Sequence, residues 1–216
     1  MAGLDLTRID LPTGVALTVQ SGGPREAEPI VLLHGFPESH RTWRDVAPDL
    51  ARDFFVVAPD QRGFAGSDKP EGVEAYRTDR IVEDLLALAD ILVLKRFTLV
   101  GHDWGGAVAW LAALRHPGRI ARLVAVNAPH PLIFQKSLIE DEAQRAASQY
   151  MNAFRNPAME AGIAVSEVVI TSFSTVMDSR IRLASSEVGP SCARSSRLKS
   201  AFTRATSALG LNGFVT

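Results

Sequence analysis

Phe97-Thr98-Leu99-Val100-Gly101-His102-Asp103-Trp104-Gly105-Gly106 carries an apolar, strand-like run straight into a glycine-flanked acidic residue. The string has the form G-x-Nu-x-G, the sharp strand-to-helix turn that presents a nucleophile, with aspartate where serine usually stands. Such a turn strains the nucleophile's backbone and needs small neighbours, which Gly101, Gly105 and Gly106 supply. A carboxylate that attacks a saturated carbon forms an alkyl ester, so Asp103 points to opening an epoxide or displacing a halide rather than cleaving an ester or amide. At a helix start it also meets free amides and the positive end of the dipole, which favour its ionised form. The plainer alternative is an aspartate that merely caps the helix.

Working outward, Pro29-Ile30-Val31-Leu32-Leu33, Phe54-Phe55-Val56-Val57-Ala58 and Leu123-Val124-Ala125-Val126 are further continuous apolar runs, the pattern of parallel strands covered on both faces. Helical spacing separates them: Trp43, Val46 and Leu50; Ile81, Leu85, Leu88 and Leu92; Val108, Leu111 and Leu114, ending at His116-Pro117-Gly118. Alternating segments at Leu4 to Leu11 and Val15 to Val19, joined through Pro12-Thr13-Gly14, predict a leading antiparallel pair. The expectation is an α/β, doubly wound, mostly parallel sheet with its ligand crevice at the carboxyl ends of the strands.

His34-Gly35-Phe36-Pro37 follows the strand ending at Leu33. A turn in that position supplies a backbone N–H that pairs with the N–H of the residue after the nucleophile, here Phe36 and Trp104. His34 reads as structural, because the turn uses its backbone and not its ring. Asp60-Gln61-Arg62-Gly63-Phe64-Ala65-Gly66-Ser67-Asp68-Lys69-Pro70 reads as a loop held by internal hydrogen bonds, with anion binding the other possibility.

Composition narrows the function classes. With 216 residues, 46% hydrophobic content and a net charge of -1, the chain predicts one main core and gives no footprint for nucleic acid or an anionic membrane. No apolar run approaches the about 20 residues of a membrane span, and no basic-then-apolar leader opens the chain, so a cytoplasmic location is expected. The single cysteine, Cys192, and the lack of a Cys/His cluster predict neither crosslink nor metal.

Past the fourth apolar strand, Ala143, Ala146, Ala147, Tyr150, Met151 and Phe154 share one helical face within Leu138 to Phe154, and Pro157 would stop that helix. From Ser166 onward the chain changes character, with six Lys/Arg against three Asp/Glu, many serines, and no His, Trp or Tyr. Only Val168-Val169-Ile170 resembles a strand there.

Together, in this order and spacing, the three strings resemble the α/β-hydrolase superfamily, specifically its epoxide hydrolases and haloalkane dehalogenases, over about Leu4 to Ile163. Phe36-Pro37-Glu38-Ser39 resembles the epoxide hydrolases, whereas many haloalkane dehalogenases carry Asn or Glu in place of Phe36. Fluoroacetate dehalogenases place an arginine after the nucleophile, which Trp104 and Ala107 do not match. The resemblance implies an α/β-hydrolase core over 1–135 and the start of a helical cap over 136–165, with an atypical tail over 166–216. It also implies a two-step reaction that needs no cofactor, with a small apolar epoxide or haloalkane as substrate. On that resemblance Asp103 would be the nucleophile, Tyr150 a proton donor to the oxirane oxygen, and the N–H groups of Phe36 and Trp104 the oxyanion hole. His34, Gly35, Pro37, Gly101, His102, Gly105 and Gly106 shape the turns. The base histidine and acid that the family places late in the chain have no counterpart, since no histidine lies beyond His130 and Asn127 stands where some relatives carry the acid. A chain truncated or frameshifted after about residue 165, with an incomplete cap and without the last strands, is therefore expected. The alternatives are a dehalogenase using the same Asp103, or a catalytically dead remnant that serves as a ligand-binding module.

Overall fold

The computed structural model describes residues 3–153, so Phe154, Pro157, Val168-Val169-Ile170 and the tail lie outside the described residues. Those residues fall into two compact units that divide at Ala128/Pro129.

In the first unit, β1 (Leu4–Asp10) and β2 (Ala16–Gly22) pair antiparallel, as the alternating pattern predicts. β3 (Pro29–Leu33), β4 (Phe55–Pro59), β5 (Phe97–His102) and β6 (Ile120–Val126) follow, and the six-stranded sheet runs β1-β2-β4-β3-β5-β6. β3 pairs parallel with both β4 and β5, β5 pairs parallel with β6, and β2 joins β4 antiparallel. The chain steps from β3 to one side and returns on the other, so the strand order reverses between β3 and β5. That is where an open α/β sheet leaves a crevice at its carboxyl ends. The two motif turns leave these two neighbouring strands.

The apolar runs are continuous because successive residues feed opposite layers. Val31, Leu33, Val57 and Leu99 pack on one face against Val82, Leu85 and Leu88 of α2 (Thr78–Ile91) and Val108, Ala109 and Ala112 of α3 (Trp104–Arg115). Ile30, Leu32, Val56, Ala58 and Val100 pack on the other against Trp43, Val46 and Leu50. Trp43 ends a 3₁₀ turn, His40–Trp43, Val46 is the residue before the single-turn helix α1 (Ala47–Leu50), and Leu50 ends that helix, which is shorter than the spacing suggests because Pro48 stands at its start.

The second unit corrects the expectation of one helix from Leu138 to Phe154. Three short helices occur instead: α4 (Pro131–Glu140), α5 (Glu142–Ala147) and α6 (Tyr150–Ala153). Asp141 takes extended backbone and its carboxylate accepts from Ala143 N and Gln144 N, so it starts a new helix rather than continuing the old one. Ala143, Ala146 and Ala147 are exposed, and the predicted apolar stripe is not a buried face. No helix among the described residues is long and apolar enough to cross a membrane.

Candidate active site

Asp103 sits between β5 and α3 with φ 52° and ψ -118°. Four non-glycine residues adopt positive φ among the described residues, and two of them, Asp103 and Asn127, end neighbouring parallel strands. Such a conformation is uncommon for a side-chain-bearing residue and persists only where the surroundings enforce it. Here Asp103 N donates to Val126 O at 3.0 Å, while Asp103 O accepts from Gly106 N and Ala107 N at 2.9 and 3.2 Å. The backbone thus opens α3, but the carboxylate makes no capping hydrogen bond to it. Instead Oδ1 accepts from Phe36 N at 3.0 Å, across to the turn that leaves β3.

The surrounding glycines are required by contact rather than by their own dihedrals, since none of Gly35, Gly101, Gly105 and Gly106 has positive φ. A Cβ on Gly101 would stand 2.3 Å from Gly105 O, one on Gly105 would stand 2.4 Å from His34 O, and one on Gly106 would stand 2.2 Å from Ala128 Cβ. β3, β5 and α3 therefore approach within less than the thickness of a methyl group at the turn. On Gly35 a Cβ would lie 2.7 Å from Asp103 Cβ, 2.9 Å from its Oδ1 and 3.1 Å from Glu38 Oε2. Within the same turn, Phe36-Pro37 is a cis peptide and Glu38 N returns to Gly35 O at 3.1 Å.

His34 is fully buried. Its Nδ1 lies 2.8 Å from Gly35 O and its Nε2 accepts from Gln61 N at 3.0 Å, which assigns the neutral Nδ1–H tautomer. Burial holds its pKa below 6.5, against the weaker pull of the Gly35 carbonyl and of Asp60 and Glu38. Both nitrogens are committed, so His34 is part of the scaffold. The Asp60–Pro70 loop is held from within, where Ser67 Oγ donates to Asp60 O and Gly63 N to Asp68 O, and from outside, where Asp60 accepts from His40 N and Nδ1 and Arg62 forks onto Asp84.

A pair that sequence reasoning missed lies beside the nucleophile. Glu38 Oε2 accepts from Gly35 N at 3.0 Å and stands 3.0 Å from Nδ1 of His102, tying the β3 turn to the residue before Asp103. Burial lowers the His102 pKa, but the Glu38 hydrogen bond and the charges of Glu38 and Asp103 outweigh it, and the net shift is upward from 6.5. Burial raises Glu38, yet His102 and the Gly35 N–H outweigh it and bring it below 4.5. In the sequence the pair's two members stand in separate strings, Glu38 in Phe36-Pro37-Glu38-Ser39 and His102 beside Asp103, with nothing to pair them.

These shifts fix a pH profile. The raised His102 contributes stability that is full below pH 6.5 and is lost as pH rises through its folded pKa. The lowered His34 contributes stability that is full above pH 6.5 and is lost as pH falls through its folded pKa. Glu38 adds a loss as pH falls below 4.5. Thermal melts from pH 4 to 9 should peak near pH 6.5, and His102→Gln should flatten the alkaline limb by about 1–3 °C. Coincident wild-type and His102→Gln curves between pH 6 and 8 would show that the pair is not charged.

Of the other expected site residues, Trp104 opens α3, so its amide is a first-turn N–H with no intrahelical acceptor, and the residue is 47% exposed. Phe36 is 38% exposed. Tyr150 starts α6 in the second unit. His116 ends α3, and His130 caps α4 with Nδ1 accepting from Leu132 N. No base histidine and acid pair with Asp103 is assigned among the described residues. An open depression of about 330 Å³ lined by Arg77, Thr78, Asp79, Leu111 and Arg115 lies toward the other end of α3, where Arg77 is already engaged by Glu74 and Asp79.

Comparison with known proteins follows the same lines. The family described as alpha/beta hydrolase fold matches residues 28–197. An AB hydrolase superfamily protein of Bacillus subtilis, YfhM, is 39% identical over 145 residues, which is 67% of this chain and 51% of that protein. Epoxide hydrolase A of Mycobacterium tuberculosis is 42% identical over 128 residues, 59% of this chain and 40% of that one. A solved structure of a novel epoxide hydrolase from metagenomes of hot environments superposes with a TM-score of 0.74 at 40% identity, covering 97% of this chain and 68% of that one. The chain spans about half the length of the curated relatives it matches. By its sheet order, its acidic elbow and the extent of these matches, the chain belongs to the alpha/beta hydrolase fold family, among the members that are epoxide-hydrolase-like.

Proposed function

We propose that the chain is built to open a small apolar epoxide toward a vicinal diol through an ester on Asp103. The observation that carries this reading is the Asp103 carboxylate, held off its own helix at positive φ and steadied by Phe36 N–H. With Oδ1 taken by that N–H, Oδ2 attacks an oxirane carbon. The C–O bond breaks and the leaving oxygen takes a proton from Tyr150, giving a hydroxyalkyl ester. Water attacking the ester carbonyl then releases the diol and restores the carboxylate, its surplus proton returning to the Tyr150 oxygen, while the N–H groups of Phe36 and Trp104 hold the oxyanion. Loss of one such donor typically costs about 3 kcal/mol. His34, His40 and His102 each have a ring nitrogen engaged in the scaffold, so none of these three is assigned as the base that activates that water, and the described residues by themselves should release the ester slowly. The names of the epoxide hydrolases it resembles support the epoxide reading.

Incubation with styrene oxide followed by peptide mass mapping should find a stable adduct on Asp103. Rapid diol production without adduct would contradict slow release, and halide release from haloalkanes with no reaction toward epoxides would select dehalogenation. Gly35→Ala provides a geometric check. Its methyl displaces the Asp103 carboxylate and the Phe36 N–H bond, and a misplacement of about 1 Å slows alkylation roughly 100-fold. The fold loses about 1–3 kcal/mol. Both are read from adduct growth and a urea melt.

A further inference from the structure

The ring of Phe64 belongs to none of the roles above, yet it packs on two residues of the turn that holds Asp103. It contacts the Phe36 ring edge-to-face, with centroids 6.1 Å apart and planes at 77°, and contacts His34 in the same way at 4.9 Å. His34 is immovable, fully buried and bonded at both nitrogens. The backbone of Phe64 is pinned as well, since its N–H donates to Gln61 O at 3.0 Å and its carbonyl accepts from Ser67 N at 2.9 Å. Phe64 is only half-buried, and Phe36 is 38% exposed. The two rings therefore make a fixed right-angled corner whose Phe36 side carries the N–H that holds Asp103 Oδ1.

We infer that Phe64 is a specificity-determining residue which, with Phe36, selects substrates bearing a flat aryl group over saturated rings of the same size. The inference rests on the proposed attack by Asp103. A flat ring can lie against the face of one phenyl and present its edge to the other, the offset and T-shaped arrangements that aromatic quadrupoles favour, whereas a puckered saturated ring gains only contact area. Such an aromatic contact is worth roughly 2- to 10-fold in rate or affinity.

The test compares wild type, Phe64→Leu and Phe64→Tyr. Rates of Asp103 alkylation by styrene oxide and by cyclohexyl oxirane are measured, together with calorimetric binding of the corresponding phenyl and cyclohexyl glycols. The intrinsic reactivities of the two epoxides cancel when the aryl-to-alicyclic ratio is compared between variants. Phe64→Leu should lower that ratio roughly 2- to 10-fold in both measurements, and Phe64→Tyr should retain it. An unchanged ratio with adduct still forming overturns the corner and leaves the reaction standing. Equal slowing of both epoxides reduces Phe64 to a support for the turn and also overturns it. If no adduct forms on any protein but glycol selectivity still falls in Phe64→Leu, the reaction is overturned and the aryl corner stands. Failure to bind either glycol overturns both. Should Phe64→Leu not fold, Phe64→Met, unbranched and of similar volume, takes its place in the comparison.

Discussion

Replacing Asp103 by asparagine should leave a folded protein that no longer becomes alkylated. Asparagine tolerates positive φ about as well as aspartate and ranks with it at helix starts, and its amide oxygen can still accept from Phe36 N–H. The carboxylate makes no capping bond to α3 that the exchange would remove. Stability should therefore change by less than about 1 kcal/mol. Nucleophilicity is a different matter, because the amide oxygen lacks the charge that attacks saturated carbon. Loss of a nucleophile in an assembled site typically costs on the order of 10⁴-fold or more. Mass mapping after styrene oxide treatment should find no modified residue 103, with the melting temperature nearly unmoved. Persistent alkylation at another carboxylate, with Glu38 the nearest candidate, would assign the attack elsewhere.

Asp103 is legible in the sequence because its signal is local. Three glycines, a strand-like run and a helix start are packed into one string, and each glycine proves to be a place where two backbones, or a backbone and Ala128, touch. The parallel strands were equally legible, since Ile30 to Leu33 and Phe55 to Ala58 feed two layers and so lack alternation. What could not be read was pairing over distance. Glu38 meets His102 across 64 positions, and Phe64 meets Phe36 through a loop that only the sheet order brings alongside β3. Spacing arguments reach about one or two helical turns, and neither contact lies in that range. The 138–154 helix failed for another reason. Asp141 places a start signal inside an otherwise helical pattern, and the cap prevails over the periodicity.

Asp84→Ala should be the most damaging single substitution in the scaffold, at about 3–5 kcal/mol. Asp84 lies on α2 and receives Arg62 Nε and Nη2 at 2.5 and 2.6 Å, with Thr13 Oγ1 adding a third bond at 2.6 Å. The two side chains are 2% and 5% exposed. Donating to Asp84 raises the Arg62 pKa above its ordinary value, and when that partner goes the guanidinium still cannot escape by losing its proton, because arginine is intrinsically too basic to do so in a protein. It stays charged and buried, and among the described residues its remaining hydrogen bond is from Nη1 to Ala75 O. A domain of this kind has about 5–15 kcal/mol of stability to lose, so urea denaturation should show a large drop in midpoint. The pair need not be net stabilising for this to hold, because removing both charges spares the protein a stranded one. Arg62→Met with Asp84→Leu should accordingly be more stable than Asp84→Ala alone. The consequence reaches the site through the loop. Arg62 follows Gln61, which bonds His34, and precedes Phe64, which packs on Phe36, so loosening Arg62 releases two supports of the turn whose N–H holds Asp103. A midpoint shift equivalent to less than about 1 kcal/mol would mean that water reaches the guanidinium and that the loop is held by its other bonds.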